Sequence, residues 1–142
     1  MNQNFLDLGL EDVIVQAVDH LGFEKPSPVQ EKCIPIVLNE DTDLVALAQT
    51  GTGKTASFGL PLIQKIDNDN RNTQALVLAP TRELCIQIAS DLNNYARFKK
   101  TNVVAVYGGA SIMDQARNLK RGAQVIVATP GRLQDMINRR LV

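Results

Sequence analysis

The sequence predicts an α/β fold, a mostly parallel sheet with helices on both faces. Three observations carry this. Short, Val/Leu-rich runs at 44–48, 75–79, 103–107 and 124–128 alternate with stretches whose apolar residues recur at helical spacing. Those runs are nearly continuous rather than alternating, as suits strands covered on both faces. Each run ends in an unusual Gly-, Pro- or Thr-containing peptide, and ligands of such sheets sit at the carboxyl ends of the strands.

Taken in order, Val13, Ile14, Ala17, Val18 and Leu21 share one helical face, and Gly22 is placed to end that helix. Ser27-Pro28 opens a second helix towards Leu38, with a kink expected before Pro35. Leu44–Ala48 is the first strand, and a helix follows from Lys54 to Ile66. Asn68 to Thr73 is a polar turn into the strand Ala75–Ala79. Leu84, Ile88, Leu92 and Tyr95 mark the next helix, and Val103–Tyr107 the next strand. Ser111 with Asp114 resembles a capping box for a helix marked by Ile112, Ala116 and Leu119. Gln124–Ala128 is the last strand, and Leu133, Met136 and Ile137 mark the last helix. There is no internal repeat, low-complexity segment or long linker.

At 142 residues and 44% hydrophobic content the chain is one domain long and can bury a core. No apolar run approaches a membrane span and no basic-then-apolar signal precedes Phe5, so a cytosolic location is expected. Cys33 and Cys85 lack metal-ligand spacing and read as free thiols. His20, the only histidine, rules out a multi-His metal site and reads as a surface or capping residue. Net charge is zero, yet residues 1–71 hold 5 Lys/Arg against 11 Asp/Glu and residues 72–142 hold 10 against 4. A basic second half suits a polyanionic partner, although Arg97/Lys99/Lys100, Arg117/Lys120/Arg121 and Arg139/Arg140 also read as solvated helix ends.

Ala48-Gln49-Thr50-Gly51-Thr52-Gly53-Lys54-Thr55 is the most informative stretch. A glycine-rich turn between a strand and a helix aims backbone N–H groups at one point, and the helix dipole reinforces them. Lys54 is then expected to reach the β/γ-phosphates of a nucleoside triphosphate and Thr55 to ligate Mg²⁺. The strict pattern asks for Gly where Ala48 stands.

Five stretches in order resemble the first RecA-like domain of a DEAD-box ATP-dependent RNA helicase. They are Gly22 to Gln30, Ala48 to Thr55, Pro80-Thr81-Arg82-Glu83-Leu84, Gly108-Gly109 and Thr129-Pro130-Gly131-Arg132. The likeness runs from Phe5 to about Leu141, and it expects alanine at position 48. It implies a RecA-like P-loop domain over 1–142, with a Q-motif segment at 3–31 and a P-loop at 48–55. It implies that Phe23 stacks on adenine while the Gln30 amide and the Lys25 carbonyl read its edges. An amide that donates and accepts at once suits that base. Ser27-x-x-Gln30 is equally a capping box. Phe5 matches the family's upstream aromatic and equally suits a core anchor.

The resemblance further implies that Pro80, Thr81, Arg82, Gly108, Gly109, Thr129, Pro130, Gly131 and Arg132 contact the backbone of single-stranded RNA. Contacts of that kind position a strand without reading sequence. Thr81 and Thr129 also read as helix N-caps, roles compatible with binding phosphate. Gln87 is a supporting candidate. Neither an Asp-Glu-Ala-Asp stretch nor a Ser-Ala-Thr motif occurs in these residues, and Asp114 and Asp135 follow no apolar strand. The expectation is a truncated domain, incomplete at its C-terminal end, that holds ATP/Mg²⁺ weakly, hydrolyses little and unwinds nothing. Strand Leu44–Ala48 is expected to lack neighbours, so self-association is a further expectation. Two other readings are a non-catalytic RNA-binding module with an idle phosphate loop, and a small P-loop kinase or transferase, for which no acceptor pocket or base is found.

Overall fold

A computed structural model describes residues 1–142. Contacts divide the chain into two compact units, Met1–Lys65 with Asn94–Lys100, and Ile66–Asn93 with Thr101–Val142.

The first unit is helical: α1 (Gln3–Leu6), α2 (Asp12–His20), α3 (Pro28–Asn39) and α4 (Lys54–Lys65). Its core is the apolar face legible in the sequence, with Ile14, Val15, Ala17 and Val18 of α2 buried beside Phe5, Ile34, Leu60 and Ile63. Gly22 follows α2 at φ +80, a conformation that costs a glycine nothing and ends the helix. α3 has Ser27 as its N-cap and Pro28 at its first position, and it packs against α4. Pro35 lies inside α3. The ammonium of Lys99 donates to the carbonyls of Ile63 (2.8 Å) and Gln64 (2.6 Å), so one expected surface cation closes the end of α4.

Leu44–Ala48 is a correction. The segment forms no strand, and Val45 (87% exposed) and Leu47 (93% exposed) stand in solvent. A strand exists by its ladder, and none of the three strands that form pairs with this one. The segment instead borders an apolar groove of about 450 Å³ whose other wall is Pro28, Val29, Cys33 and Ile36 of α3.

The second unit holds a three-stranded sheet in the order β1-β3-β2, from β1 (Ala75–Leu78), β2 (Val103–Val106) and β3 (Val125–Ala128). Both pairings are parallel, with Val77 and Ala105 each opposite Val127. β3, the central strand, is buried at every position, as a strand covered on both faces must be. α6 (Ile112–Lys120) and α7 (Pro130–Asn138) pack on Val106, Ile126 and Ala128 through Ala116 and Met136. α5 (Arg82–Tyr95) buries Cys85, whose thiol donates to the carbonyl of Val127 at 3.3 Å. Both cysteines are free and buried. Gln124 pins the polar turn before β1 through the carbonyls of Asp67, Asn68 and Asn70. No helix is long and apolar enough to cross a membrane.

Candidate nucleotide site and strand-end loops

In the first unit, the residues of the phosphate loop and of the Gln30 segment meet. Gly51 (φ +78) and Gly53 (φ +79) take the left-handed conformation that the turn into α4 requires. The hydroxyl of Thr52 donates to the carbonyl of Gln49 at 2.6 Å, and Thr50 lies at the exposed tip. Lys54 opens α4 with an exposed side chain. Neither its ammonium nor the half-buried Thr55 hydroxyl has a partner within the chain. Both therefore remain available to an incoming anion and its cation.

Gln30 closes the capping box: its Oε1 accepts from the Ser27 N–H (3.0 Å) while the Ser27 hydroxyl accepts from the Gln30 N–H (3.4 Å). Its Nε2 then donates to the carbonyl of Gly53 at 3.2 Å. One buried amide thus ties α3 to the phosphate loop, and it keeps one N–H and one lone pair for a ligand. The capping role is observed, and it leaves room for the other. A Cβ on Gly53 would stand 2.2 Å from that Nε2, so only glycine permits the approach.

Phe23 is half-buried, 6.2 Å from the Phe5 ring, while Phe5 itself is fully buried. Phe5 is therefore the core anchor of the N-terminal segment. Lys25 is exposed. Asn2, which sequence reasoning missed, donates to the carbonyls of Phe23 (3.1 Å) and Glu24 (2.7 Å) and also caps α1. Its signal was an Asn just before a short helix, a standard cap position.

In the second unit, the three parallel strands end at one edge, so Pro80-Thr81-Arg82, Gly108-Gly109 and Thr129-Pro130-Gly131-Arg132 gather there as expected. The Thr81 hydroxyl accepts from the Leu84 N–H at 3.2 Å and caps α5. Thr129 occupies the N-cap of α7 with Pro130 at the first position, but its hydroxyl makes no capping bond. The first turn of α7 therefore offers uncapped N–H groups beside a free hydroxyl. The Arg82 guanidinium lies 5.3 Å from the centre of the Tyr107 ring. Gly109 (φ +84) lets it approach, since a Cβ there would stand 2.8 Å from Nη1.

Arg132 is used differently from Arg82. Both terminal nitrogens donate to the Ala110 carbonyl at 3.1 Å, and Nη1 also donates to Gln115 Oε1 at 3.0 Å. Gln115, buried in α6, donates to the Tyr107 carbonyl (3.0 Å) and accepts from its N–H (3.3 Å). Arg132 and Gln115 together hold the Gly108–Ala110 loop in shape. Sequence reasoning missed Gln115, although it sits at the i+3 position of the stripe Ile112, Ala116, Leu119, where an apolar residue is expected. Ser111 caps α6 by accepting from the Asp114 N–H at 3.3 Å. Gln87 bonds only its neighbour Asp91 on the exposed side of α5.

Residues 27–142 match the family model described as DEAD/DEAH box helicase. The ATP-dependent RNA helicase CshA of Listeria monocytogenes is 53% identical over 136 residues, which cover 96% of this chain and 26% of that protein. The ATP-dependent RNA helicase DeaD of Escherichia coli is 49% identical over 136 residues, covering 95% and 22%. The chain thus spans about a quarter of the length of these curated relatives. A DEAD box protein from the hyperthermophile Methanococcus jannaschii superposes with a TM-score of 0.92 at 44% identity, over 98% of this chain and 38% of that one. S. cerevisiae Dbp5 bound to RNA and ADP BeF3 superposes with a TM-score of 0.86 at 31% identity, over 98% and 35%. Ordered motifs, a RecA-like α/β architecture and these likenesses converge: the chain belongs to the DEAD/DEAH box helicase family.

Proposed function

We propose that residues 1–142 form the nucleotide-binding part, and half of the RNA path, of an ATP-dependent RNA helicase that couples ATP hydrolysis to local duplex separation. The observation that carries this is the unspent donor set of the phosphate loop. Lys54 and Thr55 have no internal partners, they follow two left-handed glycines, and Gln30 fixes the last of these by its carbonyl. In this reading the N–H groups of Gln49 to Gly53 and Lys54 hold the phosphates. The Thr55 hydroxyl holds Mg²⁺, which when bound neutralises charge on the β/γ oxygens. Phe23 stacks on adenine, and the spare N–H and lone pair of Gln30, with the Lys25 carbonyl, read its edges.

RNA phosphates in turn meet Arg82, the free Thr129 hydroxyl and the N–H groups that open α7. Pro80, Thr81, Gly108, Gly109, Pro130 and Gly131 shape that path, and Arg132 acts on it by bracing the Gly108–Ala110 loop. The likeness of this chain to Dbp5, solved with RNA and ADP BeF3, supports both ligand classes. The 142 residues on their own are expected to hold nucleotide with little turnover, since neither Asp114 nor Asp135 directly follows an apolar strand, the place from which a P-loop NTPase supplies its Mg²⁺-holding aspartate. The exposed Val45 and Leu47 favour weak self-association of the isolated chain. A cytosolic location belongs to the same reading.

Parallel titrations of nucleotide and of single-stranded RNA test the reading. Saturable binding of both, with RNA affinity falling steeply as salt rises, is expected. RNA binding with no nucleotide binding would support the idle-loop module instead.

A further inference from the structure

A second group of cations lies at the other end of the sheet from the strand-end loops. Arg71 precedes β1, and Lys120 and Arg121 precede β3, whereas Arg82 and Arg132 follow those same strands. Because the strands are parallel, the two groups occupy opposite poles of the second unit. Arg71, Asn72, Thr73, Lys120, Arg121 and Gly122 line a cleft of about 490 Å³ with no carboxylate among its walls. The walls are fixed to each other: Arg71 Nη2 donates to the Arg121 carbonyl at 2.8 Å, and the Thr73 hydroxyl to the Ala123 carbonyl at 2.7 Å. Gly122, beside Arg71, turns the chain out of α6 at φ +100, a conformation that favours glycine.

Helix-end electrostatics explain part of this. Arg117 pairs with Asp114 one turn back, and Arg71 satisfies a terminal carbonyl of α6. Lys120 and Arg121 also sit at the C-terminal end of α6, where the dipole favours cations, but their exposed side chains have no hydrogen bond or ion pair in the chain and stay open to a ligand. Three like charges around one cleft repel each other until an anion enters.

We propose that this cleft binds phosphates of the RNA backbone, as a second contact point at the pole opposite the strand-end loops. The proposal rests on the RNA-binding reading above. The cleft wall suits phosphate better than protein. Its only apolar residues are Leu119 and Ala123, without an aromatic anchor, and protein interfaces concentrate their energy on such anchors. Guanidinium forks, by contrast, meet phosphate oxygens two at a time and need no apolar support.

The test uses the 142-residue chain, a single-stranded RNA of about thirty nucleotides, and the salt dependence of affinity. Each lost phosphate contact on single-stranded RNA lowers the slope of log K against log salt by about 0.7. Lys120→Gln with Arg121→Gln should therefore lower it by up to about 1.4 and weaken binding at low salt roughly tenfold. Arg82→Gln should lower it separately, the two losses adding, because the sites are distant. Unchanged helicity in circular dichroism checks the fold. An unaltered slope in the Lys120/Arg121 variant, with loss in Arg82→Gln, overturns the second contact and leaves the RNA reading intact. Absence of salt-dependent RNA binding by the unmodified chain overturns both. Polyglutamate binding that the Lys120/Arg121 change abolishes, with RNA binding untouched, overturns the RNA assignment in favour of an acidic protein partner.

Discussion

Gln30 couples α3 to the phosphate loop through the Gly53 carbonyl, and the consequences of that bond can be measured. Gly53→Ala puts a Cβ against the Gln30 amide and holds alanine at φ +79. The left-handed backbone alone costs about 1–2 kcal/mol. Displacement of Gln30 should also weaken adenine-nucleotide affinity more than tenfold, read by calorimetric titration, while Gly51→Ala, which meets no atom, should lose mainly stability. Gln115→Ala removes the partner of both Tyr107 main-chain groups and one bond of Arg132. Leaving such groups unpaired should cost about 1–3 kcal/mol in denaturant unfolding. Cys85 gives a pH test. Burial is the main influence on its thiol and pushes it above the ordinary range, against weaker opposing hydrogen bonds with the Val106 and Thr129 backbone. The folded state thus prefers the neutral thiol. Its contribution is complete below the unfolded thiol pKa and is lost as pH rises through the folded one. Stability should fall as pH rises past the ordinary thiol pKa of about 8.5, and less so in Cys85→Ala. At this scale the Ser27/Gln30 box was legible because it is local. The bond from Gln30 to Gly53 was not, since it joins residues 23 apart that only tertiary folding brings together.

Helices were the most legible elements. α2, α4, α5, α6 and α7 begin and end within a residue or two of their apolar stripes and caps, because helical hydrogen bonds are satisfied inside the segment. Strands depend on neighbours. The runs at 75–79, 103–107 and 124–128 found one another in a parallel ladder, while Leu44–Ala48, of the same composition, has no partner strand and stays unpaired. Its composition reports β preference, which is a preference for a pleated, half-buried surface, and composition alone supplies no ladder. Amide hydrogen exchange makes the difference visible. Leu44–Ala48 should exchange near the unprotected rate while Val125–Ala128 is the slowest segment of the sheet; strong protection at Val45 and Leu47 would show a pairing that this structure lacks. The two threonine caps make a similar contrast. Thr81 spends its hydroxyl on α5, whereas Thr129 keeps its own, a difference that the sequences Pro80-Thr81-Arg82 and Thr129-Pro130-Gly131 do not reveal.

Across the whole chain, the uneven charge resolves into several fates. Lys99 seals α4, Arg117 and Arg139 pair with acids on their own helices, and Arg132 braces a loop. Arg82 lies over the Tyr107 ring at one pole of the sheet, and Lys120 with Arg121 line a cleft at the other, the two places proposed above to meet RNA. The fold class and the five ordered motifs were readable from the chain, since each motif is a contiguous peptide with its own turn chemistry. Second-line residues such as Asn2 and Gln115 were not assigned, because their roles are defined by segments far along the sequence. The adenine-nucleotide site proposed for this chain is open to direct test. Calorimetric titration of the 142-residue chain with Mg·ATP, beside Mg·GTP and beside Lys54→Ala, tests it most directly. Saturable binding of ATP, at least tenfold weaker binding of GTP, and loss of ATP binding in Lys54→Ala are expected. Equal affinity of the unmodified and Lys54→Ala chains, or no binding by either, would contradict it.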